Sequence, residues 1–395
     1  MNLADTFIHH FEEIKDPRKK THNLRHEFID ILIIAILACI CDADGFTEIC
    51  EFAQAKQEWL STFLKLPHGI PSHDTFGRVF ALINPQVFEA CFCEWIASLS
   101  IDILNEIIAI DGKTARRSHN RNQGCQALHM VSAWATQQQV LLGQVKTEEK
   151  SNEIEAIPKL LDMLDVEGSI ITIDAMGCQQ AIAKKVLSQG ADYVLSLKEN
   201  HKSLYDSVGH MFMQAEAGEK FYKNILHRRK IEKAKGHGRY EIRTYTLVSA
   251  RDVPALQCHW PGLQGIGKIE VRRSTGPQQF EQATRYFLTS LTYENINNFM
   301  RAVRKHWDIE INLHWSLDVS FKEDLSRVRA GHAAENLAIV RRIALNLLKQ
   351  EKTNKRGVTC KRKRAGWDNK YLLKVLTADS NLKNKQKTAE MPTLI

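Results

Sequence analysis

The sequence predicts an α/β protein: a mixed five-stranded sheet with flanking helices, an all-helical N-terminal domain before it and a β-rich insertion within it. Three observations predict this. Apolar residues recur at helical spacing through residues 1–100. Five short apolar runs follow, the later ones separated by helical stretches that stop at glycine. Residues 201–290 then alternate apolar and polar before a helical period returns.

In the first region the helical runs are Phe28-Ile29-Ile31-Leu32-Ile34-Ile36-Leu37, then Trp59-Leu60-Phe63-Leu64, then Phe76-Val79-Phe80-Leu82-Ile83. Phe28 to Cys41 is too short to span a bilayer and contains Asp30, so it reads as a buried core helix. Pro67, Gly69 and Pro71 punctuate the middle, and Ser72 or Asp74 is placed to cap the next helix. The texture changes near residue 106. Ile107 to Ile110 is a β-branched run ending in Asp111-Gly112; Leu128 to Ala135 and Val140 to Lys146 follow, with Gln137-Gln138-Gln139 as their turn. A helix is predicted from near Ile157, with Pro158 in its first turn, to near Gly168. Ile170 to Ile173 is a strand ending in Asp174, Gln179 to Leu187 a helix stopping at Gly190, and Tyr193 to Leu197 a fifth strand. A hairpin meander followed by crossover units makes a mixed sheet. Tyr240 to Val248, Val271 to Arg273 and Arg285 to Leu288 are the strands of the insertion, and no internal repeat is present. The expected division is 1–100, helical; 101–200 with 291–350, the sheet and its helices; 201–290, the insertion; and 351–395, a basic tail.

A chain of 395 residues exceeds one ordinary core, so two or three structural units are expected. The hydrophobic share of 44% and charged share of 25% are those of a soluble globular protein. Mean hydropathy is -0.32, and no apolar run approaches the roughly 20 residues of a spanning helix. Met1 to His10 lacks a signal peptide's basic-then-apolar order, so a cytoplasmic location without membrane contact is expected. None of the nine cysteines forms a Cys-x-x-Cys pair, and Cys39/Cys41 and Cys91/Cys93 point to different helix faces. Structural zinc is therefore not expected. The net charge of +8 suits a polyanionic partner. It concentrates between Lys349 and Lys387, where Trp367 and Tyr371 interrupt the basic run, as in either a solvated tail or a nucleic-acid contact.

Two strands end alike, Ile-Ala-Ile-Asp111-Gly and Ile-Thr-Ile-Asp174-Ala-Met-Gly. In open α/β sheets ligands collect at the carboxyl ends of strands. Two neighbouring carboxylates there do not comfortably stay ionised without a cation. Mg²⁺ suits them, and two such ions about 4 Å apart serve in-line displacement at phosphorus. Taken alone, each Asp reads equally well as a turn residue, and spacing does not make the strands neighbours. The third element runs from Arg304 to Asp324, with His306, Glu310 and His314 at i, i+4, i+8. Ile309 and Leu313 read as core contacts, and both histidines as supports or packing rather than ligands.

Several segments, in order, carry a more specific signal. They are Gly69-Ile-Pro-Ser-His-Asp74-Thr-Phe, Ala109-Ile-Asp111-Gly-Lys113-Thr, Lys150-Ser-Asn-Glu-Ile and Thr172-Ile-Asp174-Ala-Met-Gly-Cys-Gln179. His306-Trp-x-Ile-Glu310 and Leu-His-Trp315-x-Leu-Asp-Val-x-Phe-x-Glu-Asp324 complete the set. With these the chain resembles the H-repeat-associated insertion-sequence transposases, a branch of the DDE transposases with an RNase H-like catalytic core. The resemblance implies that Asp111, Asp174 and Glu310 are a catalytic triad holding two Mg²⁺ ions, or Mn²⁺ in their place. It implies metal-dependent DNA strand cleavage and strand transfer, with double-stranded DNA (element ends and target) as partner. A homodimer on paired ends and a nucleoid-associated location follow from it. Two departures stand out. Ile311 replaces the family's Asn after the Glu, and Val303, His306 and Leu317 occupy the offsets where related branches carry Tyr, Arg and Lys. Phosphate contacts are then expected from Lys113, Arg116, Arg117, Lys198, Arg301, Arg304 and Lys322. Trp260 is a candidate for stacking on an extruded base, against a structural role. The rival functions are an RNase H-like nuclease that does not join strands, and an inactive remnant that only binds DNA.

Overall fold

The N-terminal helices are built around α1 (Phe28–Ile40), twelve of whose thirteen residues are buried. A helix apolar on every side belongs in an interior. Its one acid, Asp30, is buried too and accepts the Leu66 N–H at 2.9 Å. α2 (Phe46–Ala55), α3 (His73–Leu82) and α4 (Pro85–Ser98) follow. Ser72 is the cap of α3, accepting the Thr75 N–H at 3.3 Å. The computed structural model describes residues 10–20, 24–99, 101–119, 126–147, 152–217, 225–236, 239–253, 260–274 and 280–377.

The five expected strands are β1 (Ile107–Thr114), β2 (His129–Ala135), β3 (Val140–Thr147), β4 (Ile170–Ile173) and β5 (Asp192–Leu197). Between them run α5 (Glu153–Asp162) and α6 (Gln180–Ser188). α5 begins before the predicted start, so Pro158 lies inside it rather than in its first turn. Acidic Glu153 and Glu155 supply that earlier start, where the helix dipole favours negative charge.

Among the described residues the sheet has nine strands, not five, in the order β3-β2-β1-β4-β5-β9-β8-β7-β6. After α7 (Lys202–Ala217), the insertion supplies β6 (His227–Gly236), β7 (Arg239–Ser249), β8 (Gly265–Ser274) and β9 (Phe280–Thr289). β9 pairs antiparallel with β5, Val194 opposite Thr289 to Leu197 opposite Tyr286. The edge that β5 would otherwise expose is thereby covered, and the insertion continues the sheet. β6 was not legible as a strand because it is an edge strand with cations where apolar residues would alternate.

Helices cover both faces of this extension. α7 lies on one, where Phe212 stacks on Tyr286 at 5.7 Å. α8 (Ile296–His306) lies on the other, where Phe299 meets Phe287 edge-on at 5.7 Å. Past α8 the chain winds in wider π turns over Ile309–His314 and Ser316–Ser320, not the α-helix expected. α9 (Ala333–Gln350) then threads the centre, with fourteen of eighteen residues buried. Its Asn346 exchanges two 2.9 Å hydrogen bonds with the Leu141 backbone, standing in for a neighbouring strand residue.

Part of the stretch expected as a basic tail is helical: α10 (Val358–Trp367) and α11 (Asn369–Thr377). Ala365, Tyr371, Leu372 and Val375 are buried, which docks both helices. Two of the cations turn inward. Lys361 donates to the Leu348 carbonyl, and Arg362 to the carbonyls of Cys39 and Ala43 and to Asp44. Tyr371 is no nucleic-acid contact either: it is buried, and its hydroxyl donates to Glu351 at 2.8 Å. Among the described residues no single helix is long and apolar enough to cross a membrane.

Candidate active site

β1 and β4 are parallel neighbours in the register Ile107 opposite Ile170 through Ile110 opposite Ile173. The next residue on each strand is Asp111 and Asp174, so the two aspartates emerge at the same level on strands about 4.8 Å apart. The strands then diverge. β4 stops at Ile173, and the Asp174 carboxylate accepts the N–H groups of Met176 at 3.0 Å and Gly177 at 3.4 Å. β1 does not end at Asp111-Gly112. It runs to Thr114 because β2 keeps pairing with it, Asp111 opposite Ser132 and Gly112 opposite Val131. Asp-Gly here is no turn.

Glu310 comes from the first π segment. Ile309 and Leu313 are fully buried and anchor that segment to the core, which leaves Glu310 exposed. Asp111, Asp174 and Glu310 all line one cleft of about 590 Å³, together with Lys198, Arg285, His306 and Trp307. The Asp111 carboxyl is pushed up to about 7. Burial is the main cause, and the charges of Asp174, Glu310 and Glu153 add to it against the Gly112 N–H.

Both histidines flank this acid cluster in the neutral form. Burial drives His306 down to about 4, against the pull of Asp174, and its Nδ1 lies 3.1 Å from the Thr172 hydroxyl. His314 is driven down to about 3 by burial and by the charges of Lys113 and Arg342. Its Nδ1 stands 3.5 Å from Asp111. Among the described residues no three His, Cys, Asp or Glu side chains already stand as a metal-holding group. The donor chemistry nonetheless fits a hard divalent cation: three carboxylates share one cleft, and the charges of Asp174 and Glu310 raise the proton affinity of Asp111.

The seven cations expected at phosphates are scattered. Only Lys198, exposed, lines the cleft with the carboxylates. Lys113 is buried and held by Asp318 at 2.6 Å, Glu323 at 3.3 Å and Asp324 at 3.4 Å, so it is not free for DNA. Arg116 is exposed but paired with Asp324 at 3.2 Å, and Arg117 is exposed beside Arg329, which donates to its carbonyl. Arg301 donates to the Asn105 carbonyl at 2.6 Å, and Arg304 pairs with Glu232 at 3.0 Å. Lys322 pairs with Asp44 at 2.8 Å and borders a different cavity, between α2, α3 and the segment after Glu310. Trp260 is buried against His201, so it offers no face to a base. Arg285 was missed, since nothing in the sequence shows that β9 lies beside β5; Trp307 lies in the quoted segment, but only the fold brings it against Arg285.

Comparison with known proteins shows the family. The family model described as "Transposase DDE domain" matches residues 103–347, and the one described as "DDE_Tnp_1-associated" matches residues 8–96. The chain is 38% identical over 375 residues to "H repeat-associated putative transposase YhhI" of Escherichia coli (strain K12), covering 93% of this chain and 97% of that protein. It is 39% identical over 366 residues to "Putative transposase YncI" of Escherichia coli O157:H7, covering 91% of each. A cryo-EM structure of the piggyBac transposase synaptic complex with hairpin DNA aligns over 100% of this chain and 80% of that one, at 11% identity and a TM-score of 0.40. That likeness is too loose to bear on the site.

Proposed function

We propose, from the premise that this chain belongs to the family of transposases with a DDE domain, that Asp111, Asp174 and Glu310 are its catalytic carboxylates. The protein is an enzyme that acts on DNA by metal-dependent phosphoryl transfer. The observation that carries the site assignment is the register of β1 on β4, which sets Asp111 beside Asp174 in the cleft that Glu310 also lines. The fold is read as an RNase H-like core, 101–200 with 291–350, whose sheet the strands of 201–290 extend. Residues 1–100 and those from 351 are read as its helical supports.

Two Mg²⁺ ions, or Mn²⁺, held by these carboxylates would activate the attacking oxygen and stabilise the leaving one. The chain's own groups prepare for that. Asp111, whose proton affinity is raised by burial and by its acidic neighbours, would hold a cation through its ionised carboxylate. His306 and His314, kept neutral by burial, add no positive charge to repel a cation. Cleavage at an element end frees a 3′-hydroxyl that attacks target DNA, with no covalent protein intermediate. A homodimer on paired ends completes the proposal.

The test is cleavage of labelled duplex carrying the element's ends by the full-length chain, with Mg²⁺ and with EDTA. Asp111→Asn and Asp174→Ala are each expected to lower the rate about 100-fold or more while DNA binding persists. Unchanged Mg²⁺-dependent cleavage by Asp174→Ala would refute the assignment. One observation favours a second reading, a remnant that binds DNA without turnover: Ile311 stands beside Glu310 where the family resembled carries Asn. Wild type that binds ends and never cleaves with Mg²⁺ or Mn²⁺ selects it. Cleavage without joining selects the nuclease.

A further inference from the structure

Two cations stand side by side at the rim of the cleft with no acid to hold them. β5 and β9 pair as far as Leu197 opposite Tyr286, so the next position on each chain brings Lys198 beside Arg285. Both line the cleft that contains Asp111, Asp174 and Glu310, and both are exposed. Among the described residues no carboxylate pairs with either. The contrast along the same sheet is plain. Arg243 pairs with Glu241, Arg273 with Glu241 at 3.1 Å, and Arg304 with Glu232 at 3.0 Å. Like charges directly across adjacent strands are destabilising, and a shared anion would remove that repulsion.

Arg285 is also braced. Its guanidinium lies over the Trp307 ring, 5.2 Å from the centroid, and Trp307 lines the cleft beside it. Stacking holds the planar group by its face and leaves its N–H edge to make paired hydrogen bonds to phosphate oxygens. Arg285, Val303 and Trp307 line this cleft and also a second groove of about 500 Å³ over β7, β8 and β9. The register carries Arg285 in one row with Ile269, Tyr245 and Lys230, so the groove leads from the carboxylates toward the edge strand β6. That strand exposes Arg228, Arg229, Lys230, Lys233 and Lys235 around the single acid Glu232.

We propose that Lys198 and Arg285 form a two-pronged clamp for a DNA backbone phosphate beside the catalytic carboxylates, with Trp307 bracing the arginine and the groove toward β6 carrying the flanking duplex. The clamp stands in the cleft that Val303 also lines with an apolar side chain. It rests on the reading of the cleft as a DNA-processing site, but it is tested by binding rather than by chemistry.

The experiment measures anisotropy of a fluorescein-labelled random-sequence duplex titrated with the full-length chain in EDTA over a series of KCl concentrations. The double variant Lys198→Gln with Arg285→Gln is expected to flatten the plot of log affinity against log salt by about 0.9, the loss of one neutralised phosphate, and each single variant by part of that. Arg285→Lys is expected to restore the slope. An unchanged slope in the double variant, with wild-type circular dichroism and melting, overturns the clamp. So does a wild type that does not bind duplex at low salt. Asp111→Asn separates the two proposals. If the clamp slopes fall while Asp111→Asn still cleaves, the clamp holds and the triad is wrong. If the slopes do not move while Asp111→Asn abolishes cleavage, the triad holds and the clamp is wrong.

Discussion

Glu323 shows how single residues hold the site in place. It is 2% exposed and lies between Arg342 at 2.6 Å and Lys113 at 3.3 Å. Burial by itself would raise its carboxyl, but Arg342, Lys113 and Arg341 hold it down at about 2. Lys113 is two residues beyond Asp111 on β1, and another of its partners, Asp318, lies on the π turns that follow Glu310. The cluster therefore ties the strand of one proposed catalytic carboxylate to the segment carrying another. Removing one member leaves the others as buried charges, so Glu323→Gln is expected to destabilise the fold by ~3–5 kcal/mol in urea unfolding at pH 7. The sign with pH follows from the lowered carboxyl. The stabilisation is complete above the unfolded value near 4.5 and is lost as pH falls through the folded value of about 2. The variant should show a flatter acid limb, and equal stability at pH 7 would show that the cluster contributes nothing. Gly112 has a matching role, since a Cβ there would meet Glu153 Oε1 at 2.3 Å and His129 Nε2 at 2.6 Å. Those two side chains are themselves bonded at 2.7 Å beneath the strand.

Among the elements, α8 and the π turns beyond it set where Glu310 stands. α8 docks on the extended sheet through Phe299, and the approach is close enough that β8 carries Gly267 beneath the ring. A Cβ at Gly267 would lie 2.3 Å from Phe299 Cζ, and a fully buried ring has no room to swing aside. Gly267→Ala is therefore expected to lower stability by ~1–3 kcal/mol, read as a drop in melting temperature. Lifting α8 also displaces Glu310, so cleavage should fall further than DNA binding does. A melting temperature and cleavage rate both at wild-type values would show that the packing is not tight there. The π turns have their own consequence: Trp307, Ile311, Trp315 and Val319 come out exposed at every fourth position while Ile309, Leu313 and Leu317 are buried. Ile311, which replaces the family's Asn, lines the groove rather than bonding within the site.

At the scale of the whole molecule, one apolar core runs from Phe11 through the first five strands to Leu376. α9 is its axis, in contact with α1, α3, α4 and β3. Its Asn336 donates to the carbonyls of Phe80 and Ile83, so the N-terminal helices are bonded to it as well as packed on it. Helices that share a core this way do not act as an independent domain. A fragment of residues 101–350 would leave α9 uncovered on two sides. It is expected to aggregate on size-exclusion chromatography and to lack a cooperative thermal transition, whereas the full chain unfolds cooperatively. A monomeric fragment with a sharp melt would count against this. The same sharing accounts for the two cations of the basic run after Lys349 that turn inward. Lys361 and Arg362 spend their charge on carbonyls and on Asp44 inside the molecule.

Periodicity determined the N-terminal helices and the five central strands, because alternation and helical spacing are local and each run is apolar enough to be seen alone. The residues Asp111, Asp174 and Glu310 were likewise legible, the first two from their place after β-branched runs and the third from the segment around it. Tertiary structure decided which of these residues meet. Register is a relation between distant strands, and only the pairing of Ile110 with Ile173 makes the two aspartates neighbours. Pairing of β5 with β9 extends the expected five-stranded sheet with the strands of the insertion, and it brings Arg285 to Lys198 from far along the chain. Burial made the remaining choices: it encloses Lys113, Trp260 and Tyr371 among protein partners, and it keeps His306 and His314 uncharged. A residue's type states what chemistry it is able to do, but its solvent access and partners depend on chain segments far from it in sequence.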